Sequence, residues 1–296
     1  MKKINVIAIL ALFLLVISCT KEDVIVDANV FGVKVETVNS NIGVKSSEKL
    51  LHFEKRADYE NVINYLSQGD ESVMARFEDS LSFNSMRVML SDDERECIGI
   101  YDDVLATILN KEGLIRIEDY IIHINTLNDS LEVYSAISNK KLMSLSVDQD
   151  FFSIIDGQLD LHYNDVTALG DCNKMNYVFS NLPSILDTKV KCTLVYQRAG
   201  IYFSILIKVD EPYQIGYSQL NKWVNIESGN YYTPKNRSTY YIPKEVTDIQ
   251  KCHFHKRLYS GIRRLTSFSV DVICEVRYYI PGDPYGDSVV LHIQKS

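Results

Sequence analysis

The sequence carries no common catalytic signature. There is no G-x-S-x-G, no H-E-x-x-H, no P-loop and no G-x-G-x-x-G anywhere in its 296 residues. The usual serine-hydrolase elbow, zinc-protease helix and phosphate cradles are therefore missing. This weighs against an enzyme and leaves that class open only to chemistry without a motif. Positive charge is also in deficit, with 31 Lys and Arg against 39 Asp and Glu and a formal net charge of −8. Sequence-independent binding to nucleic acid needs clustered cations against the phosphates, so the acidic balance disfavours that class. The one long apolar run, residues 6–17, is too short for a ~30 Å hydrocarbon core, which takes roughly 20 helical residues. No internal repeat is evident, so the length fits one large or two modest domains. Tryptophan occurs once, but tyrosine occurs 19 times. Tyrosine suits strands and wet binding surfaces, because its ring is apolar and its hydroxyl makes hydrogen bonds.

The apolar run has a different use. Lys2 and Lys3 precede it and Val16-Ile17-Ser18-Cys19 closes it, which is the pattern of a signal peptide. The small residue directly before Cys19 resembles the lipobox read by bacterial lipoprotein signal peptidase. The resemblance implies cleavage before Cys19 and lipidation of its thiol. At about 0.8 kcal/mol per buried methylene, two or three acyl chains hold a protein at a membrane almost permanently. Lys21, Glu22 and Asp23 follow at once and look like the Lys-acid-acid signal that sends Bacteroidetes lipoproteins to the outer face of the outer membrane. The competing readings are an ordinary secretory leader and a solvated charged tether.

Beyond the tether, an early strand is expected over residues 30–35. A helix should then be capped by Ser46 or Ser47, with Glu48 in its first turn and Leu50, Leu51 and Phe53 as its apolar start. Tyr59, Val62, Ile63 and Leu66 recur at helical spacing before Gly69. A second helix is expected over 72–81, with Val73, Met74, Phe77 and Leu81 on one face. An amphipathic segment follows over 101–109, closed by Gly113. The period then falls to two, giving strands at 114–117, 120–124 and 131–137 in a small meander. The last third is rich in β-branched and aromatic residues at 190–197, 202–209, 238–242, 267–279 and 288–294, the spacing of a β-sandwich.

Several groups of side chains invite chemistry. Cys97, Cys172, Cys192, Cys252 and Cys274 remain after Cys19. An exported chain meets an oxidising compartment, so Cys252 with Cys274 and Cys172 with Cys192 are candidate disulfides. The alternative is buried thiols acting as small hydrophobes. His253 and His255 would share one face of a strand, as two metal ligands should. No further His or Cys pair lies nearby to complete a zinc set, so no metal is expected. Asp148, Asp150, Asp156, Asp160 and Asp165 form an acidic stretch, but Phe152 stands where a calcium loop needs a ligand. Lys251, Lys256, Arg257, Arg263 and Arg264 make a basic island that either grips an anionic group or is a solvated strand edge. Tyr213, Tyr217, Tyr231, Tyr232, Tyr240 and Tyr241 surround Trp223. They are either a platform on which sugars stack or cross-strand packing.

Leu51-His52-Phe53, Tyr59, Leu66, Phe83-Asn84-Ser85 and above all Ile108-Leu109-Asn110-Lys111-Glu112-Gly113, followed by Ile115-Arg116-Ile117 and Asp119-Tyr120, carry a family resemblance. Over roughly residues 45–135 the chain resembles a group of uncharacterised Bacteroidetes surface lipoproteins built on a domain of unknown function. The resemblance implies location and architecture, with a helix that ends in Leu-Asn, turns on Gly and leads into strands. It implies no activity.

The expected fold is α+β. A signal peptide over 1–18 and a lipidated tether over 19–45 precede N-terminal helices with a small β-meander over 46–175. A mainly antiparallel β-sandwich-like region follows over 176–296. The expected function is that of a surface-exposed outer-membrane lipoprotein, anchored at Cys19, that binds or adheres to a glycan or protein ligand. Trp223, Tyr217, Tyr231, Tyr232, Arg263 and Arg264 are the candidate contacts. The rivals are a structural fimbrial or adhesin-like subunit and a polysaccharide-active enzyme. Neither a cofactor nor a nucleic-acid partner is expected.

Overall fold

The structure is a computed structural model that describes residues 31–38, 48–125, 128–157, 174–180, 189–211, 220–233, 237–280 and 283–295. Cys19, Lys21, Glu22, Asp23, Asp160, Asp165, Cys172, Tyr213 and Tyr217 lie outside the described residues, as do Ser46 and Ser47. The fold is α+β, with six helices and three largely antiparallel sheets among the described residues.

The first sheet has six strands in sequence order: β1 (Val33–Val38), β2 (Glu48–Phe53), β3 (Leu114–Ile117), β4 (Tyr120–Asn125), β5 (Ser130–Ser135) and β6 (Lys141–Ser146). Strands β3 to β5 are the meander expected from the period of two; β6, which the sequence did not suggest, adds a fourth strand to it, and β1 and β2 extend the sheet on the other side. The β2–β3 pair is parallel, so the chain between must cross over. Five helices make that crossing: α1 (Arg56–Gln68), α2 (Glu71–Leu81), α3 (Met86–Met89), α4 (Asp92–Cys97) and α5 (Asp103–Ile108). They cover one face of the sheet. Leu51, Phe53, Ile115, Ile117, Ile122, Leu131 and Val133 pack there against Tyr59, Val62, Ile63, Leu66, Phe77, Val104 and Ile108.

Residues 48–53 are therefore a strand and not the start of the first helix. Leu51 and Phe53 point to the helices while Leu50 joins Leu114, Ile121 and Tyr134 on the opposite face, an alternation of period two. The helix begins only at Arg56, after Lys55, which makes no side-chain cap. The turn into β3 is built as its sequence demands. Asn110 accepts from the amides of Glu112 and Leu114 and donates to the Lys49 carbonyl, tying the turn to β2. Gly113 has φ +78°, and a Cβ there would lie 2.6 Å from the Ile124 carbonyl oxygen, so only glycine fits.

The second half is a sandwich of two sheets. One holds β7 (Lys174–Phe179), β8 (Val190–Arg198), β9 (Phe203–Asp210) and β13 (His253–Gly261), in the order β13-β9-β8-β7. The other runs β11 (Ser238–Tyr241), β10 (Asn221–Thr233), β14 (Ser267–Ile280), β15 (Asp283–Lys295), with β12 (Glu245–Ile249) also on β10. Leu194, Ile205, Ile207 and Val209 of the first meet Val224, Ile226, Val270, Val272 and Leu291 of the second in one core.

Strands β8 and β9 are buried almost throughout, on both faces. Their second face lies against the helical layer, and beside Val195 and Leu206 it carries polar groups. Thr193 and Gln197 of β8 and Ser204 and Lys208 of β9 are all buried there. Gln197 fastens the layers by donating to the Gly99 carbonyl and accepting from the Tyr101 amide at 2.7 Å. A short helix α6 (Phe151–Ile155), capped by Asp150, is tied to the turn between β8 and β9 by a bond from the Phe151 amide to the Gly200 carbonyl.

Candidate functional site

The edge strand of the four-stranded sheet, β13, runs past the N-terminus of α2. A cleft of about 750 Å³ opens between them, lined on one side by Gly69 to Ser72 and Met74 and on the other by Asp248 to His255 and Arg257. A smaller recess of about 240 Å³ is lined by Glu71, Arg87, Asp92, Arg95 and Asp103, with His253 and His255 again on its wall.

The cleft floor is a network of buried charges. Asp102 caps α5 through the Val104 amide and is fully buried. Its carboxylate also accepts from Tyr202 Oη at 2.7 Å, Ser204 Oγ at 2.5 Å and Arg257 Nε at 2.8 Å. Burial pushes its pKa up, but the Arg257 charge and these hydrogen bonds outweigh it and hold the carboxyl below its ordinary value. Asp103, one residue on, bonds Arg95 Nη1 at 2.6 Å and His255 Nδ1 at 2.8 Å. Burial again opposes ionisation there, and His255 and Arg95 overcome it, so the carboxyl lies far below the usual range. Burial likewise pulls His255 down, yet hydrogen bonding to Asp103 and Asp210 and the Asp103 charge push its pKa up to about 9. His255 is thus an imidazolium at neutral pH.

The network extends along β9. Lys208 Nζ and Lys191 Nζ both bond Glu96, at 2.8 and 2.7 Å, and Lys208 lies 3.8 Å from Asp92. Arg95 also pairs with Asp92. Asp210 sits 3.1 Å from His253 Nδ1 and 3.6 Å from His255 Nε2.

Asp92, Asp210 and His255 offer ligand atoms within 4.8 Å of one another. A metal there would meet a protonated imidazole and the Lys208 ammonium. The four carboxylates Asp92, Glu96, Asp103 and Asp210 already face four cations, namely Arg95, Lys191, Lys208 and His255. The donor set fits ion pairing better than a divalent ion. The same state bears on catalysis. Asp103 and Asp210 are held ionised and His255 protonated, whereas a general acid or base works with a pKa near the operating pH.

The residues singled out in the sequence are dispersed. Arg263 reaches back to Asp150, Asp156 and Ser153 of the α6 region, and the Arg264 amide donates to Asp150. Arg257 is committed to Asp102, and Lys256 pairs with Glu245. The basic island is largely a set of internal ties. The described acids of the 148–165 stretch have partners as well: Asp148 bonds Arg198 at 2.6 Å, and Asp156 bonds Arg56.

Tyr231 stacks on Tyr240, with centroids 5.3 Å apart, and leans on Tyr259; Tyr232 beside it is partly exposed. Trp223 is half-buried on the outer face of the five-stranded sheet, with the Arg277 guanidinium 5.3 Å from its ring centroid. At ~3.3 Å per residue it lies roughly 26 Å along β10 from Tyr231, so Trp223 and the tyrosine pair are separate features. Cys192 and Cys274 are both buried and Cys252 lines the cleft. All three are free thiols in this structure, and the group that acts most strongly on the Cys192 thiol is Cys274.

His253, His255 and Arg257 stand out in the sequence, but their partners do not. Asp102, Asp103 and Asp210 are ordinary acids until the fold sets them opposite β13. The one local hint is Lys208, a cation inside the apolar run of β9.

No known protein family matches the sequence, and no curated protein does. Among solved structures, a weak structural neighbour is a DUF4848 family protein from Bacteroides thetaiotaomicron. It is 11% identical, with 87% of this chain and 100% of that chain covered, at a TM-score of 0.21. A likeness at that level carries no argument about function.

Proposed function

We propose that the chain is a lipid-anchored protein of the outer cell surface whose folded part binds a glycan in the cleft between α2 and β13. The observation that carries the reading is the cleft itself. Its volume of about 750 Å³ is of the size that holds a small ligand. Its rim presents Asp70, Ser72, Asp248, Gln250, Lys251 and His253, the mixture of acceptors and donors that sugar hydroxyls need, and Phe254 adds an apolar edge. His255 on its wall is held by Asp103 on Nδ1 and pairs with Asp210 through Nε2 at 3.6 Å. The ion network beneath keeps the wall rigid, which lowers the ordering cost of binding.

Binding is tested on a glycan array. For a ligand that the intact protein retains, replacing Asp248 and Gln250 together with Ala should weaken binding at least tenfold, about 1.4 kcal/mol. Both side chains are exposed, and Gln250 Nε2 bonds Asp248 at 2.8 Å, so the fold should be unaffected. Unchanged affinity in that variant, with loss on Trp223→Ala instead, would move the binding face to the outer surface of the five-stranded sheet. A protein with no ligand on the array and self-polymerisation after leader removal would favour the structural-subunit reading.

The anchor is supported by the run of residues 6–17 and Cys19 alone. Cys19→Ala should abolish metabolic labelling by palmitate and release the protein from the membrane fraction. Undiminished palmitate incorporation would rule the anchor out.

A further inference from the structure

We infer that Cys192 and Cys274 are the disulfide pair of this fold, a covalent link between the two sheets of the sandwich. Cys192 lies on β8 and Cys274 on β14, and both belong to the shared core with 1% of their surface exposed. Both are free thiols in this structure, and Cys274 is the group that acts most strongly on the Cys192 thiol. The strands that carry them come within 8 Å between Cα atoms, closer than the ~10 Å of ordinary face-to-face sheets. A disulfide needs a Cα separation of ~5.5–6 Å, so closing the bond draws the two strands together. The other described cysteines are placed differently: Cys97 is exposed on α4 and Cys252 lines the cleft.

The oxidant is a disulfide-bearing thiol compound, such as the oxidised dithiol of a folding catalyst or oxidised glutathione. One cysteine thiolate attacks a sulfur of that disulfide and expels one thiolate, leaving a mixed disulfide on the protein. The second cysteine thiolate attacks the protein-bound sulfur and expels the other. The two cysteine protons end on the two expelled thiolates. The cysteine pair loses two electrons and the oxidant's disulfide gains them. Cys274, together with burial, pushes the Cys192 thiol far above its ordinary pKa in the closed sandwich. The exchange therefore takes place while the sheets are still coming together, and once made the bond is sealed from external reductants.

The test is independent of where the protein resides. The full chain, reduced and unfolded, is refolded in a mixture of reduced and oxidised glutathione, then denatured and alkylated without reductant. The expected result is protection of Cys192 and Cys274 together, with a proteolytic fragment pair joined through them. A chain with Cys97, Cys172 and Cys252 replaced by Ser should give the same linked pair. Its melting temperature should fall by several degrees when reductant is present during refolding. Alkylation of both Cys192 and Cys274 after refolding, or a link from Cys274 to Cys252, would overturn the assignment. Neither result would touch the anchor, whose test is palmitate labelling.

Discussion

Arg257→Met should destabilise the protein by about 3–5 kcal/mol, a large share of the stability of an ordinary domain. The substitution keeps most of the apolar stem and removes the guanidinium. Asp102 is then left as a fully buried carboxylate with hydroxyl and amide donors but no cation. An unpaired buried charge costs far more than the pair contributes, because the desolvation of the remaining ion is no longer offset. Urea unfolding followed by circular dichroism should show a lower midpoint with an unchanged slope. The double variant Asp102→Asn/Arg257→Met removes both charges and should recover a substantial part of the loss. A cost below ~1 kcal/mol for Arg257→Met, in the range of surface ion pairs, would mean that Asp102 gains water or another cation when its partner goes.

A second large effect is the dependence of stability on pH. His255 titrates near 9 in the folded protein and near 6.5 when unfolded. Its contribution is complete below about pH 6.5 and is lost as the pH rises through about 9. The difference corresponds to something on the order of 3 kcal/mol, with little solvent screening because the side chain is only 12% exposed. Asp103, Asp210, Lys208 and Arg95 surround the imidazole, and the two carboxylates set the sign. Asp103 works in the opposite direction: its lowered pKa stabilises the fold above ~3.9 and that contribution disappears as the pH falls. Urea midpoints at pH 6 and pH 9.5 should therefore differ strongly in the parent and much less in His255→Gln. Equal losses in the two proteins would assign the effect to other groups. The buried Tyr59 and Tyr202 and the half-buried Tyr259 are candidates, since desolvation raises their pKa values and they weaken the fold at still higher pH.

Both predictions rest on residues whose roles the sequence does not display, and the reason is distance along the chain. Local pattern was informative where one face of an element meets one environment. The run over 190–197 and the face of Met74 and Phe77 on α2 are read directly from side-chain type and period. Residues 48–53 misled because Leu50, Leu51 and Phe53 run without a break into the helical spacing of Tyr59 and Val62. An apolar strand followed by an apolar helix mimics one longer helix. Strand β13 misled in another way. His255 and Arg257 have the look of a solvated edge, and β13 is indeed an edge strand. Its charges nevertheless face inward, because acids on α5, some 150 residues earlier in the chain, wait for them. The pairing of Cys192 with Cys274 was hidden for the same reason. Alternation shows that both point into a sandwich, but not which residue of the opposite sheet each one meets.

The parallel seam between β2 and β3 imposes an order of assembly. A hairpin can zip as soon as its two arms exist, and β3 to β6 are joined by such short connections. The β1–β2 hairpin is made first in the chain, yet its only place in the sheet is against β3, on the far side of five helices. Closing so long a connection costs entropy that is recovered only when the helices pack, so this hairpin joins late. Until then β3 presents a row of unpaired amides and carbonyls, the edge at which a neighbouring chain would add its own strand. The seam is fixed by only two register pairs, His52 with Arg116 and Phe53 with Ile117. Arg116 crosses it to Glu36 of β1, and Asn110 to the Lys49 carbonyl. Those two polar clasps are what distinguishes the chain's own first hairpin from a stranger's.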